Sequence, residues 1–265
     1  MPTAAVNGID ISFERKGEGP SLLYLNGSGS TLADTELVRA PFVERFDLLA
    51  HDQRGLGLTS IPPGPYSMAD YAADALGLLD HVGWETCRVV GVSFGGMVAQ
   101  ELAVTAPERV ERLALLCTSP GGEGGSSYPL HELTEMDAAE RAAVGARLLD
   151  TRFTPEWLGA HDGDRFIAEL MASRAGRHRT DHERRGEAEQ LGARRHHDVW
   201  DRLGRIACPT LVASGRYDAI APPTNGEAIA ASVPDAELRL YEGGHAFFAQ
   251  DRSAFAEIVE FLAPD

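Results

Sequence analysis

Residues 89–99 read Val89-Val90-Gly91-Val92-Ser93-Phe94-Gly95-Gly96-Met97-Val98-Ala99. An apolar, β-branched run ends in Gly-x-Ser-x-Gly, and a helix-forming stretch follows without a break. That order predicts a strand, a sharp turn and a helix, with Ser93 at the turn. A serine held there adopts a strained backbone, tolerable only where its neighbours let strand and helix close together. Gly91 and Gly95 supply that room, and Gly96 extends it. The oxygen of Ser93 then stands clear at the strand tip, with the positive end of the following helix behind it. The alternative is a glycine-rich turn whose serine only caps the helix. The rest of the chain decides between the two.

Working outward, Met68, Tyr71, Ala72, Ala75, Leu79 and Val82 repeat at helical spacing, which predicts an amphipathic helix packed on a sheet. Upstream, residues 3–15 alternate around Asn7-Gly8 as a β-hairpin would. Strands are predicted over Ser21–Leu25 and Phe46–Ala50, with a helix between Thr35 and Phe46. Downstream come a helix to about Ala106 and a strand over Arg112–Cys117. After an interruption the alternation resumes, with strand Thr210–Ala213, helix Thr224–Ser232, strand Ala236–Tyr241 and final helix Arg252–Leu262. Strand alternating with helix implies an α/β fold with a mostly parallel central sheet flanked by helices. In such sheets ligands sit beyond the carboxyl ends of the strands. Ser28, His51, Ser93 and Ser119 all fall just after predicted strands.

The interruption begins after the sixth strand, at Pro120-Gly121-Gly122-Glu123-Gly124-Gly125-Ser126-Ser127. Residues 131–205 are strand-poor and hold 13 Arg against 15 Asp+Glu, a balance of −2. The remainder holds 11 Lys+Arg against 25 acids, a balance of −14. We expect a core formed by residues 1–120 and 206–265, with 121–205 inserted as a helical cap or lid.

The net charge of −16 argues against nucleic acid and anionic membranes as partners. No apolar run approaches membrane-spanning length, and Met1-Pro2-Thr3-Ala4 lacks a basic-then-apolar leader, so a cytoplasmic location is expected. Cys87, Cys117 and Cys208 are widely spaced and read as buried free thiols. Whether the chain forms a homo-oligomer stays open.

A serine hydroxyl needs a base to take its proton, and the base needs an orienting partner. Gly215-Arg216-Tyr217-Asp218 follows one late strand and Gly243-Gly244-His245 follows the next. One helix and one strand fit between Asp218 and His245, so both side chains come from adjacent strand ends at the edge that carries Ser93. The order Ser, Asp, His suits groups on such a sheet.

On these residues the chain resembles the α/β-hydrolase superfamily along nearly its whole length. Gly91–Gly95 matches its nucleophile elbow, Asp218 its acid loop and Gly244-His245 its histidine loop. Asp52-x-Arg54-Gly55-x-Gly57 resembles the branch of lactonases, non-haem haloperoxidases and carbon–carbon hydrolases. The resemblance implies Ser93 as nucleophile, His245 as general base and acid, and Asp218 as its orienter. It also implies an oxyanion hole of two backbone N–H groups, from Phe94 and from Ser28 in the loop after Leu22–Leu25. That loop departs from the family pattern, because Asn26 stands where histidine is common.

The leading expectation is a serine hydrolase that cleaves a carboxylic ester or lactone, a small molecule, through an acyl-enzyme. A serine at the elbow argues against dehalogenase and epoxide-hydrolase branches, which use aspartate there. No dinucleotide fingerprint or phosphate loop is present, so neither cofactor nor metal is inferred. Carbon–carbon hydrolysis of a ring-fission diketone or perhydrolysis would use the same three residues. A non-catalytic receptor on the same fold is the alternative from another class. Other groups receive structural readings. Ser119 reads as a turn residue, His51 as structural, His178 and His182 as a solvated helix face, and His196-His197-Asp198 as surface helix. Arg54 is expected to pair beneath the active-site floor, and Phe247 and Phe248 to pack the final helix.

Overall fold

Thr3–Val6 (β1) and Ile9–Lys16 (β2) form an antiparallel hairpin around Asn7-Gly8. Both turn residues have positive φ, 50° and 76°, which a tight two-residue hairpin requires and which asparagine and glycine tolerate best. The structure, a computed structural model, describes residues 1–263. The strands that follow are Ser21–Leu25 (β3), Asp47–His51 (β4), Cys87–Val92 (β5), Val110–Leu116 (β6), Thr210–Gly215 (β7) and Ala236–Tyr241 (β8). They join one sheet in the order β1-β2-β4-β3-β5-β6-β7-β8. Among the described residues, only the β1–β2 and β2–β4 pairings are antiparallel. This is the mostly parallel α/β sheet that the alternation predicts.

Its helices are Glu36–Val43 (α1), Met68–His81 (α2), Phe94–Thr105 (α3), Ala138–Leu149 (α4), Pro155–Ala160 (α5), Asp162–Ala175 (α6), Asp181–Arg195 (α7), Pro223–Ser232 (α8), Phe247–Gln250 (α9) and Ala254–Leu262 (α10). α2 starts at a capping box, in which Ser67 and Asp70 satisfy each other's backbone N–H. Its buried Tyr71, Ala72, Ala75 and Leu79 are the stripe read from the sequence. Side chains alternate across the sheet. Leu23, Leu25, Val89 and Leu113 face α2 and α3, while Leu22, Tyr24, Val90 and Ala114 face α1 and α10. Both faces are therefore dry, as helix-covered parallel strands require. Ile258 and Leu262 anchor α10, each worth about 1.5–3 kcal/mol by burial. Cys87, Cys117 and Cys208 are buried and unpaired.

Among the described residues, the segment between β6 and β7 contributes helices α4–α7 and no strand to the sheet. It adheres to the loops that follow the strands. Thr151 N–H donates to Tyr217 O at 2.9 Å, Ala219 N–H to Leu148 O at 3.1 Å, and Tyr128 N–H to Ile220 O at 2.7 Å. Leu148, Leu149 and Phe153 share an apolar cluster with Ile220. The glycine-rich stretch at 121–127 is tightly packed rather than a free linker. Gly121 bridges to Asp198, and a Cβ on Gly121 would lie 2.0 Å from His197 O.

Candidate active site

β5 delivers Ser93 into the predicted turn. Its φ of 55° and ψ of −113° place a non-glycine residue in strained, left-handed territory. Three sets of hydrogen bonds hold it there. Ser93 N–H donates to Leu116 O at 2.8 Å, Gly96 N–H donates to Ser93 O at 2.9 Å, and Thr118 Oγ1–H donates to the same carbonyl at 2.8 Å. The flanking glycines are required by contact. A Cβ on Gly91 would sit 2.4 Å from Gly95 O, and one on Gly95 would sit 2.1 Å from Leu25 O. The serine does not cap α3 with its side chain. Its oxygen is thus free for another partner.

That partner is His245. Its Nε2 lies 3.0 Å from Ser93 Oγ and its Nδ1 lies 2.8 Å from Asp218 Oδ2. Asp218 is buried, and its other oxygen accepts N–H bonds from Ile220 at 2.8 Å and Ala221 at 2.9 Å. An ionised Asp218 can only accept, so Nδ1 carries the proton and Nε2 receives the serine hydroxyl. The loops after β7 and β8 are locked together, with Tyr217 N–H donating to Gly243 O at 2.9 Å. From the end of α4, between β6 and β7, Leu149 O accepts His245 N–H at 2.6 Å. Three residues distant in the chain meet beyond the strand ends.

The loop after β3 runs beside the serine, where a Cβ on Gly27 would be 3.6 Å from Ser93 Cβ. Asn26 fixes this loop. Its side chain accepts from Thr35 Oγ1–H at 2.8 Å and donates to His51 O at 3.3 Å, and its carbonyl accepts from Gln53 Nε2 at 2.6 Å. Ser28 sits two residues on, with a buried hydroxyl that has no partner among the described residues. Phe94 is buried, its ring edge-on to Tyr71 with centroids 5.0 Å apart. Sequence reading missed two supports of this loop. Asp52 accepts N–H bonds from Leu32 at 2.7 Å and Leu58 at 2.9 Å. Burial pushes its carboxyl above the usual carboxylate range, against the pull of those two donors. Gln190, from α7, accepts Gly29 N–H at 2.8 Å. Asp52 lay within a tract already singled out, whereas no local pattern marks Gln190.

Several structural readings need correction. His197 is buried, with Nε2 3.1 Å from Ser119 O, because Asp198 bridges to Gly121 and draws the end of α7 inward. Ser119 is fully buried and accepts from Asn225 Nδ2 at 2.8 Å, so it is more than a turn residue. His178 precedes α7 and only His182 is on the helix. Among the described residues no group of three His, Cys, Asp or Glu is placed to share a metal ion. Arg54 does pair beneath the site, forking onto buried Asp74 with two bonds of 2.8 Å. His51 is buried, and Phe247 stacks on Tyr241 while Phe248 packs against Phe255.

This elbow, sheet order and loop arrangement coincide with a match of residues 20–251 to a family model described as alpha/beta hydrolase fold. The chain belongs to that family. The hydrolase is 26% identical to 3-oxoadipate enol-lactonase 2 of Acinetobacter baylyi over 97% of its own chain and 94% of the relative. It is 32% identical to a poly(3-hydroxyalkanoate) depolymerase of Ectopseudomonas oleovorans over 90% of its own chain and 82% of the relative. In fold it superposes on an enol-lactonase of Burkholderia xenovorans with a TM-score of 0.82, at 23% identity, covering 98% of this chain and 99% of the other. No helix of the hydrolase, among the described residues, is long and apolar enough to cross a membrane.

Proposed function

We propose that this hydrolase cleaves a carboxylic ester or lactone through an acyl-enzyme on Ser93. The observation that carries the reading is the unbroken hydrogen-bonded chain from Ser93 Oγ through His245 to Asp218, at 3.0 and 2.8 Å. As Oγ attacks the carbonyl carbon, its proton passes to Nε2, and buried Asp218 stabilises the imidazolium that results. Negative charge develops on the carbonyl oxygen, which the backbone N–H groups of Phe94 and Ser28 are assigned to receive. Collapse expels the alkoxide, which takes the proton back from Nε2–H. Water, deprotonated by the same nitrogen, then releases the acid and restores Ser93. For a lactone, the expelled alkoxide is part of the acyl group itself, so a single ring-opened hydroxy acid leaves in that last step.

The insertion 121–205 acts as the cap in this reading, because it hydrogen-bonds to loops after β3, β7 and β8 that surround Ser93. The similarity to an enol-lactonase and to a polyester depolymerase supports carbonyl–oxygen cleavage over carbon–carbon hydrolysis. A fluorophosphonate probe tests the assignment. An activated serine is expected to be labelled at Ser93 and to lose labelling when His245 is replaced by Ala. Ser93→Ala is expected to lower kcat on a cleavable ester by about 10⁶. Labelling at another serine, or loss of less than about tenfold in Ser93→Ala, removes Ser93 from the mechanism.

A further inference from the structure

Two successive backbone N–H groups, those of Gly244 and His245, carry the imidazole to Ser93, and both are held from outside the sheet. His245 N–H donates to Leu149 O, the last residue of α4, and Gly244 N–H donates to Gln250 Oε1 at 2.9 Å. Gln250 closes α9. The Gly243-Gly244 pair is shaped to this arrangement. Gly243 has a φ of 134°, and a Cβ on it would lie 2.6 Å from Gln250 Oε1. A Cβ on Gly244 would lie 2.7 Å from Asp150 Cα. Ordinary side chains at either position would push the glutamine or the end of α4 away from the base.

Gln250 is gripped from its other end as well. Its Nε2 donates to Asp150 Oδ2 and to Asp164 Oδ1, each at 3.0 Å. Both acids belong to the segment between β6 and β7, Asp150 directly after α4 and Asp164 in the first turn of α6. Neither carboxylate is free to swing. Asp150 is fully buried, and it accepts Arg152 N–H and Nε–H at 2.9 Å and Nη2–H at 2.7 Å. Asp164 Oδ2 accepts Trp157 Nε1–H at 2.8 Å. The Gln250 amide therefore spends its oxygen and both its protons on three elements, which leaves one orientation for the side chain. Such a hub could serve only to fasten the segment to the core. That task is already met, because Thr151, Ala219 and Tyr128 N–H groups bond the segment to the loop after β7 and Leu148, Leu149 and Phe153 pack on Ile220. What Gln250 adds is a bond to the residue beside the base.

We propose that Gln250 is a positioning residue for His245, transmitting the placement of Asp150 and Asp164 to the Gly244 peptide. The cap then sets the reach of the base as well as covering the site. This rests on the reading of His245 as general base. A shift of the Gly244–His245 backbone moves Nε2 off Ser93 Oγ and Nδ1 off Asp218 Oδ2 together, from their 3.0 and 2.8 Å. An error of about 1 Å in such a placement costs about 10²-fold in rate.

Gln250→Met keeps the length of the side chain and removes its donors and acceptor. On p-nitrophenyl acetate, whose acetyl group asks little of a cap pocket, it is expected to lower kcat about 10- to 10²-fold and to leave KM within about threefold. Gln250→Glu keeps the acceptor for Gly244 N–H but sets a third carboxylate against Asp150 and Asp164, and is expected to be impaired at least as much. Adding Asp164→Asn supplies an amide that can donate to the introduced carboxylate and still accept from Trp157, and about tenfold of kcat is expected to return. Proton NMR reads the same effect without turnover. The Nδ1–H resonance of His245, far downfield because Asp218 accepts it, is expected to persist in Ser93→Ala and to move upfield or broaden in Gln250→Met. An unmoved resonance, a kcat within about threefold of wild type, or a loss confined to KM overturns the proposal. If Gln250→Met does not fold, Asp164→Ala removes one of the two anchors, and an unmoved resonance there overturns it equally. If the wild type cleaves no ester, the serine-hydrolase reading falls, while the resonance still decides whether Gln250 places His245.

Discussion

In the proposed mechanism His245 receives a proton from Ser93 only while its other nitrogen carries one, and Asp218 sets that tautomer. The carboxylate is placed with little freedom, since one oxygen accepts from Ile220 and Ala221 N–H and the other faces Nδ1. Asp218→Asn keeps the shape but can present an N–H to Nδ1, which would turn the imidazole to the wrong tautomer. The expected result is a fall of about 10⁴ in kcat with a nearly unchanged unfolding midpoint, measured by steady-state kinetics and urea titration. A loss below about tenfold would mean that Asp218 does not orient the base. The burial of Arg194, in the last turn of α7, is not legible in the way Asp218 is. Ser93, Asp218 and His245 each end a recognisable strand-and-glycine pattern, so sequence alone marks them. Nothing near Arg194 separates it from Arg195, which faces solvent, until the fold buries one and exposes the other.

The elbow is an element whose glycines are dictated by close approach. Gly95 lies against the end of β3, with Leu25 O 2.1 Å and Asn26 O 2.7 Å from the place a Cβ would occupy. These are backbone atoms and cannot swing aside. Gly95→Ala therefore has to push α3 away from β3, which moves the serine and the Asn26–Ser28 loop apart. We expect a loss of about 1–3 kcal/mol or more in stability and a disproportionate loss of kcat, read by denaturant titration and kinetics on the same preparation. Wild-type activity in Gly95→Ala would show that the approach of loop and elbow does not matter. The strand, turn and helix were legible because β-branched residues, glycines and a helical run adjoin one another in sequence. The inward turn at the end of α7 was not, because Asp198 reaches Gly121 and His197 reaches Ser119 across 78 residues. Two histidines followed by an acid carry no local sign of which face of the helix is buried.

Across the whole molecule, two buried histidines set how the fold responds to acid. Burial holds both His51 and His197 neutral, with pKa values pushed down to about 4 from the ordinary 6.5. In each case Nδ1 has no partner among the described residues, and the carboxylates that favour a charge, Asp74 near His51 and Glu101 and Asp198 near His197, do not outweigh burial. Well above pH 6.5 both states carry neutral imidazoles and their titration does not affect stability. As pH falls from 6.5 towards 4, the unfolded chain takes up protons that the native state refuses, so stability falls with pH. Each histidine is expected to remove about 2 kcal/mol by pH 5, judged from a native value near 4 and the unfolded reference. Asp52 acts in the opposite sense, because its raised pKa lets the native state bind a proton before the unfolded chain does. Urea unfolding at pH 7.5, 6 and 5 checks the sign. The wild-type free energy of unfolding is expected to drop across that range, and a His51→Gln, His197→Asn double variant to show a much shallower slope whatever its stability at pH 7.5. Equal slopes in the two proteins would place the acid sensitivity elsewhere, in the carboxylate pairs that titrate lower, and would mean that these rings reach a proton without unfolding.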